Sequence, residues 1–71
     1  MEISIASPPD REKLVADILI ENEQIAEINC EDNEVKIEIY PKQNGQPWVL
    51  NYQEFYKTIE QAKVRLLERQ D

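Results

Sequence analysis

The fold is decided by residues 13–41, KLVADILIENEQIAEINCEDNEVKIEIYP, in which apolar and polar residues alternate along three successive runs. Alternation with a period of two is typical of β-strands that bury one face. It predicts strands over 13–21, 25–31 and 35–41. The residues predicted to point to the core are apolar or small: Leu14, Ala16, Ile18, Ile20, Ala26, Ile28, Cys30, Val35, Ile37 and Ile39.

The links between these runs are short enough for hairpins. Asp32-Asn33 suits a two-residue turn, because both residue types tolerate positive φ. Such a turn pairs Cys30 with Val35, Ile28 with Ile37, and Ala26 with Ile39, so that every inward residue meets another. For the first link we expect a three-residue loop, Asn22-Glu23-Gln24, with a bulge-type turn and Ile18 opposite Ile28.

The segments on either side of this region carry weaker strand signals. Pro8-Pro9 breaks the chain, so residues 3–6 form either an edge strand or a loose arm. Asn44-Gly45 is a strong hairpin signal and predicts a short fourth strand over 48–50, with Leu50 opposite Ile39. Pro47 should weaken that pairing.

The C-terminal segment predicts one helix over 51–69. Asn51 is the expected N-cap, with Glu54 three residues later, and neither Gly nor Pro follows. Apolar residues recur at helical spacing and predict a core-facing stripe of Tyr52, Phe55, Ile59, Ala62 and Leu66. The predicted fold is therefore α+β: an antiparallel β-meander of three to four strands with one C-terminal amphipathic helix packed on one face. Its predicted organisation is one domain, 1–71, with an N-terminal arm (1–12), the meander (13–50) and the helix (51–69).

Residue counts exclude most catalytic chemistry. The 71 residues contain no His, one Cys and one Gly. Triads with His, N/S-ligand zinc sites and Gly-rich phosphate loops are therefore not expected, and we predict no enzyme, metal or cofactor. Cys30 has no disulfide partner in the chain, which favours a cytoplasmic protein. We also expect no signal peptide and no membrane span.

Charge is distributed unevenly. The net charge is -7, and residues 1–51 carry eleven acids against four bases, whereas residues 52–71 carry four of each. Nucleic acid and anionic membranes are disfavoured as partners, because phosphate contacts need clustered Lys and Arg. An acidic sheet favours an unidentified protein partner with a basic surface.

The candidate site is the outward face of the predicted sheet. Glu27 faces Glu38 in the predicted register, with Asp17 on the neighbouring strand. This row is either a solvated acidic face or a docking surface for a basic partner. Beside it we expect an apolar cluster that is either an interface or is covered by the N-terminal arm or the proline segment. The cluster is Leu19, Ile25 and Tyr40. Trp48 is either a lid on the core or a binding hot spot.

Three segments resemble a family of short bacterial proteins of unknown function. They are 35–41 (VKIEIYP), 45–48 (GQPW) and 55–67, which contains IEQAK and ends in Leu66-Leu67. With the strands at 14–27, the resemblance covers most of the chain, but it carries no functional residue. In size, acidity and layout the chain is also similar to small immunity or antitoxin proteins.

Three functions are consistent with these features. The first is a non-enzymatic protein-interaction domain whose acidic outer face binds a basic protein, as an immunity-type inhibitor would. The alternative is a structural homodimer formed through the outer face or the edge of the first strand. The third is a carboxylate-based cation-binding domain.

Overall fold

A four-stranded antiparallel sheet forms one layer of the molecule and a single helix forms the other. The computed structural model describes residues 1–69. The elements are β1 (Glu2–Ala6), β2 (Val15–Ile20), β3 (Glu23–Asn29), β4 (Lys36–Ile39) and α1 (Tyr52–Arg69). The sheet order is β1-β2-β3-β4. The predicted α+β meander with a C-terminal helix is confirmed. No helix in residues 1–69 is both long and apolar enough to cross a membrane.

The register of β3 and β4 is the predicted one. Ile28 pairs with Ile37, Ala26 with Ile39, and Glu27 with Glu38. The ladder ends at Asn29 and Lys36, however, so the predicted pair of Cys30 and Val35 lies in the loop. In that loop the Asn33 N–H donates to the Cys30 carbonyl at 3.4 Å, and Asn33 has a φ of 66°.

The first hairpin differs from the prediction. Its loop has two residues, Glu21 and Asn22, both at positive φ (50° and 69°), so that Ile20 pairs with Glu23. The register then shifts opposite Ile18 and Leu19, and Ile18 pairs with Ala26 instead of Ile28. The short turn alone would pair inward-facing residues of β2 with outward-facing residues of β3. One extra residue in β3, a β-bulge, restores the pairing of inward with inward residues. The predicted three-residue loop with a bulge-type turn is therefore wrong, because the extra residue lies within β3 and not in the turn.

The N-terminal residues join the sheet as a fourth strand. β1 pairs with β2 along its whole length, from Glu2 opposite Leu19 to Ala6 opposite Val15. Of the two forms predicted for residues 3–6, the structure has the edge strand. Ile3 and Ile5 pack against the core, which gives this strand a buried apolar face.

The predicted strand at 48–50 does not form. Residues 42–46 make the predicted turn, in which Gly45 donates to Lys42 at 2.8 Å and has a φ of 84°. Residues 47–51 then run to the helix without strand pairing. Pro47 has no N–H to donate, and Leu50 packs against the core instead of opposite Ile39.

The helix begins as the capping signal predicts. Asn51 Oδ1 accepts a hydrogen bond from the Glu54 N–H at 2.9 Å, and α1 starts at the next residue, Tyr52. The helix packs against β1, β2 and β3. Thr58, Ala62 and Leu66 are its buried residues.

The core lies between α1 and the first three strands. Its buried cluster consists of Ala16, Ile18, Ile25, Ala26, Ile28, Ala62 and Leu66. Partly buried apolar residues surround it, among them Leu14, Ile20, Leu50, Phe55 and Ile59. The predicted core positions on and beside β4 are wrong, because α1 does not extend over that strand. Val35, Ile37 and Ile39 are 43%, 40% and 62% exposed. Tyr52, in the first turn of α1, is also exposed (75%).

Candidate functional site

The candidate site lies on the outer face of the sheet, which is the face turned away from α1. Strand pairing places its three acids in one row across the sheet. Asp17 pairs with Glu27, and Glu27 pairs with Glu38. The predicted juxtaposition of these carboxylates is confirmed, and two like charges facing each other across strands need compensation.

Arg11 supplies that compensation. Its Nη2 lies 2.9 Å from Glu27 Oε2 and 2.8 Å from Glu38 Oε2. One guanidinium nitrogen therefore bridges both carboxylates by charge-assisted contacts. Glu27 is 6% exposed, whereas the side chain of Glu38 is 44% exposed. The single charge of Arg11 offsets one of the two carboxylate charges, and Glu38 is the accessible acid of the pair.

The β1–β2 connector, residues 7–14, holds Arg11 in this position. The Arg11 N–H donates to the Pro8 carbonyl at 3.2 Å, which closes a turn with Pro9 at its favoured second position. Farther along, Lys13 Nζ donates to the Cys30 carbonyl at 3.2 Å and to Asn33 Oδ1 at 3.1 Å. The connector therefore crosses the outer face and reaches the β3–β4 loop.

The connector explains why part of the outer face is buried. Val15, Glu27 and Asn29 are all buried, although alternation along β2 and β3 places them on the outer face, away from α1. Arg11 of the connector contacts Glu27 directly, which accounts for the burial of that carboxylate. Asn29 Nδ2 also donates to Glu27 Oε2 at 3.1 Å, so the buried carboxylate has two partners.

The cluster shifts its acids in opposite directions. Burial raises the pKa of Glu27, although the Asn29 amide and the Arg11 charge lower it. The hydrogen bonds from Arg11 and Tyr40 lower the pKa of Glu38. Burial, helped by the bond to Glu38, raises the pKa of Tyr40 to about 12. Tyr40 therefore stays protonated and donates to Glu38 Oε2 at 2.9 Å.

The other predicted site residues occupy different environments. Asp17 accepts a hydrogen bond from Gln24 Nε2 at 2.7 Å, and burial raises its pKa. Leu19, opposite Gln24, is half-buried. Ile25 is 1% exposed and belongs to the core cluster, so it adds nothing to a binding surface. Tyr40 does lie beside Ile25, as predicted, since its N–H donates to the Ile25 carbonyl at 2.9 Å.

Trp48 lies apart from the carboxylate row, at the end of β4. It packs against the core and also lines an open, mostly apolar groove of about 500 Å³. The groove is lined by Ile39, Tyr40, Pro41, Pro47, Trp48, Leu50 and Phe55. Lys42 Nζ lies 5.3 Å from the Trp48 ring centroid, a cation–π distance. Trp48 therefore covers the edge of the core and contributes to a surface groove.

Sequence reasoning missed Arg11 and Asn29. A signal for Arg11 was present: it is the only arginine in the acidic first 51 residues, and it directly follows the Pro8-Pro9-Asp10 turn. Nothing comparable marks Asn29. Within the described residues, no group of three or more His, Cys, Asp and Glu side chains is arranged to hold a metal ion.

Comparison of the chain with protein-family models, with curated proteins and with solved structures gave no match.

Proposed function

We propose that this chain is a small non-enzymatic protein-interaction domain that binds a basic protein surface through the β4 side of its outer face. The observation that carries the proposal is the half-exposed Glu38 carboxylate, held in a fixed position by Arg11 and Tyr40. Around it lies the sheet half of the chain, which carries the whole net charge of -7. A pre-positioned acid in a negative field favours association with a positive surface.

The chemistry of the cluster supports a binding role over a catalytic one. Tyr40, with a pKa of about 12, remains protonated and is a poor base or nucleophile near neutral pH. Glu27 is buried and paired with Arg11, so it cannot reach a substrate. With no His in the sequence, the usual general base is missing.

The finer form of the proposal is an inhibitor of the immunity or antitoxin type, acting in the bacterial cytoplasm. Its partner would be a basic toxin or nuclease whose positive surface is masked by the acidic face. The single cysteine, which has no disulfide partner in the chain, fits a reducing compartment. The resemblance to short bacterial proteins points to the same setting.

Affinity capture with charge-matched variants tests this proposal. The double variant Glu34→Lys, Glu38→Gln reduces the negative charge by three units on the β4 side. The control Glu60→Lys, Glu68→Gln makes the same change on exposed positions of α1. The bound partner should be lost with the first variant and retained with the second, and capture by the wild type should weaken as salt is raised. Equal capture by all three proteins would refute the proposed surface.

Self-association is the second candidate function, but not through the edge of the first predicted strand (13–21), because β1 pairs along the corresponding strand β2. The observation that favours it is different: β4 is an edge strand on which the exposed apolar side chains of Ile37 and Ile39 alternate with the exposed charged side chains of Lys36 and Glu38. An exposed apolar edge strand is a template for pairing with another chain.

A further inference from the structure

Within the described residues, the sheet has two outer edges, one formed by β1 and the other by β4. β3 is the only neighbour of β4 in this sheet. The chain that follows β4 turns back on itself, with Lys42 donating to Gln46 at 2.9 Å. Among the described residues, it makes no backbone hydrogen bond to positions 35–39. Within the described residues, the backbone of this edge is therefore unpaired, although Trp48 and Leu50 share a groove with Ile39 at one end of it.

Backbone parity identifies which residues present that edge. Tyr40 donates its N–H to the Ile25 carbonyl on β3. Because backbone groups alternate in direction along a strand, those of Lys36 and Glu38 also face β3. Those of Val35, Ile37 and Ile39 face away from it. The unpaired donors and acceptors thus belong to the three residues with exposed apolar side chains.

We infer that a second copy of this chain pairs antiparallel with β4 about a two-fold axis at Ile37, producing one continuous eight-stranded sheet. In this register Ile37 lies opposite the partner's Ile37, and Val35 lies opposite the partner's Ile39. About six backbone hydrogen bonds form when the strand extends by one residue to Val35, because Val35, Ile37 and Ile39 of each copy then take part. This inference rests on the second candidate function, self-association, and does not depend on the proposed binding of a basic protein.

Charge selects this register over its neighbours. With the axis at Ile37, Lys36 lies opposite the partner's Glu38, and Glu38 lies opposite the partner's Lys36. Moving the axis by one residue keeps the backbone parity but places Lys36 opposite Lys36, or Glu38 opposite Glu38. Opposite charges on facing residues stabilise a strand pair and like charges destabilise it. The strand is therefore complementary to itself in one register.

The surroundings of β4 fit a second copy. Val35, Ile37 and Ile39 lie on the helix side of the sheet, where α1 leaves β4 uncovered. In the dimer these side chains from both copies form one apolar strip. The partner's Val35 comes beside Ile39, next to the groove that Trp48 and Leu50 line. A two-fold interface of this kind is closed, so it yields dimers and no open filament.

A charge-swap series tests the inference by sedimentation. We expect the weight-average mass of the wild type to rise from 8.4 kDa toward twice that value between about 10 µM and about 1 mM, the range of weak edge contacts. Lys36→Glu alone and Glu38→Lys alone each place like charges opposite one another, and each should remain monomeric. An equimolar mixture of the two variants should form heterodimers, because every facing pair is then of opposite sign.

Amide exchange on the wild type provides a test that no folding defect can disturb. As concentration rises, the amide protons of Val35, Ile37 and Ile39 should become protected, whereas that of exposed Val49 should not. A mass of 8.4 kDa at every concentration would overturn the inference. So would equal dimerisation of all variants, since the dimer would then use another surface. Lys36→Glu should lose self-association, because it places like charges opposite one another. It should still capture a basic partner, because it retains every acid of the outer face.

Discussion

Arg11 lies between two carboxylates that differ in environment, and this difference determines how each affects stability. Glu27 is buried, and its pKa in the folded state is raised above 4.5. Glu38 is exposed, and its pKa is lowered below 4.5 by Arg11 and Tyr40. A raised carboxylate pKa means that the folded state binds more protons than the unfolded state, so stability falls as pH rises through that window. A lowered pKa has the opposite effect.

The first prediction concerns the pH dependence of stability in Glu27→Gln. Well below pH 4.5 Glu27 is protonated in both states, so its charge makes no difference between variant and wild type. As pH rises from 4.5 through the raised pKa of the folded state, the wild type should lose stability relative to the variant. Urea unfolding at a series of pH values from acidic to neutral measures this difference.

Glu38→Gln is the matched control, because it should show the opposite sign in a lower window. There the wild type gains stability over the variant as pH rises from the lowered pKa of the folded state toward 4.5. If both variants followed the same pH profile, the different roles assigned to the two carboxylates would be wrong.

At the scale of single residues, the sequence predicts which residues pair across strands better than it predicts which residues are buried by distant segments of the chain. The alternation of β3 and β4 is sufficient to place Glu27 opposite Glu38. It does not predict Arg11, because the contact from Arg11 to Glu38 spans 27 residues and follows no periodicity. For the same reason Glu27 is buried although its position faces outward in the predicted alternation. Ile25 is buried as well, and it lies where the register of β2 and β3 shifts.

At the scale of elements, the first hairpin shows how local chemistry can mislead. The αL conformation suits Asn22 but is uncommon for Glu21, so the two-residue turn has only half of its usual signal. The parity of the apolar residues demands one extra residue somewhere, and the loop and the strand are equally good places for it. The structure places it in β3 as a bulge.

The helix start, by contrast, is encoded locally and supports the second prediction. Asn51→Ala removes the acceptor for the Glu54 N–H, which should lower the free energy of unfolding by about 1 kcal/mol. Asn51→Asp retains a side-chain acceptor at the same position and should cost only a small fraction of that. Thermal unfolding followed by circular dichroism compares the two. An equal loss in both variants would mean that Asn51 does not act through its cap.

At the scale of the whole molecule, the core is displaced toward one side of the sheet. α1 is 18 residues long and packs over β1, β2 and β3. Alternation tells which face of β4 is apolar, but it carries no information on how far the helix extends across the sheet. β3 and β4 alternate in the same way, so the alternation predicts a buried apolar face for both strands. The helix nevertheless buries β3 and leaves β4 exposed.

Ile28 and Ile37 make this difference measurable, because they are the same residue type and pair directly across the two strands. Ile28 is 4% exposed and belongs to the core cluster, whereas Ile37 is 40% exposed. Ile28→Ala should therefore lower the free energy of unfolding by about 2–5 kcal/mol, through lost burial and a cavity. Ile37→Ala should cost about 1 kcal/mol or less.

Urea unfolding measures both losses. The protein concentration should be low, so that β4 is paired with β3 of its own chain and not with a second copy. The comparison between the two variants is more informative than either value alone, since strand propensity and the deleted atoms are the same. Equal losses would mean that α1 covers β4 in solution, so that no exposed apolar strip is left for a second copy to bury. At higher protein concentration Ile37 should become buried against the partner, so that Ile37→Ala costs more. The difference in lost free energy of unfolding between the two variants should then narrow, which would support both the location of the core and the dimer interface.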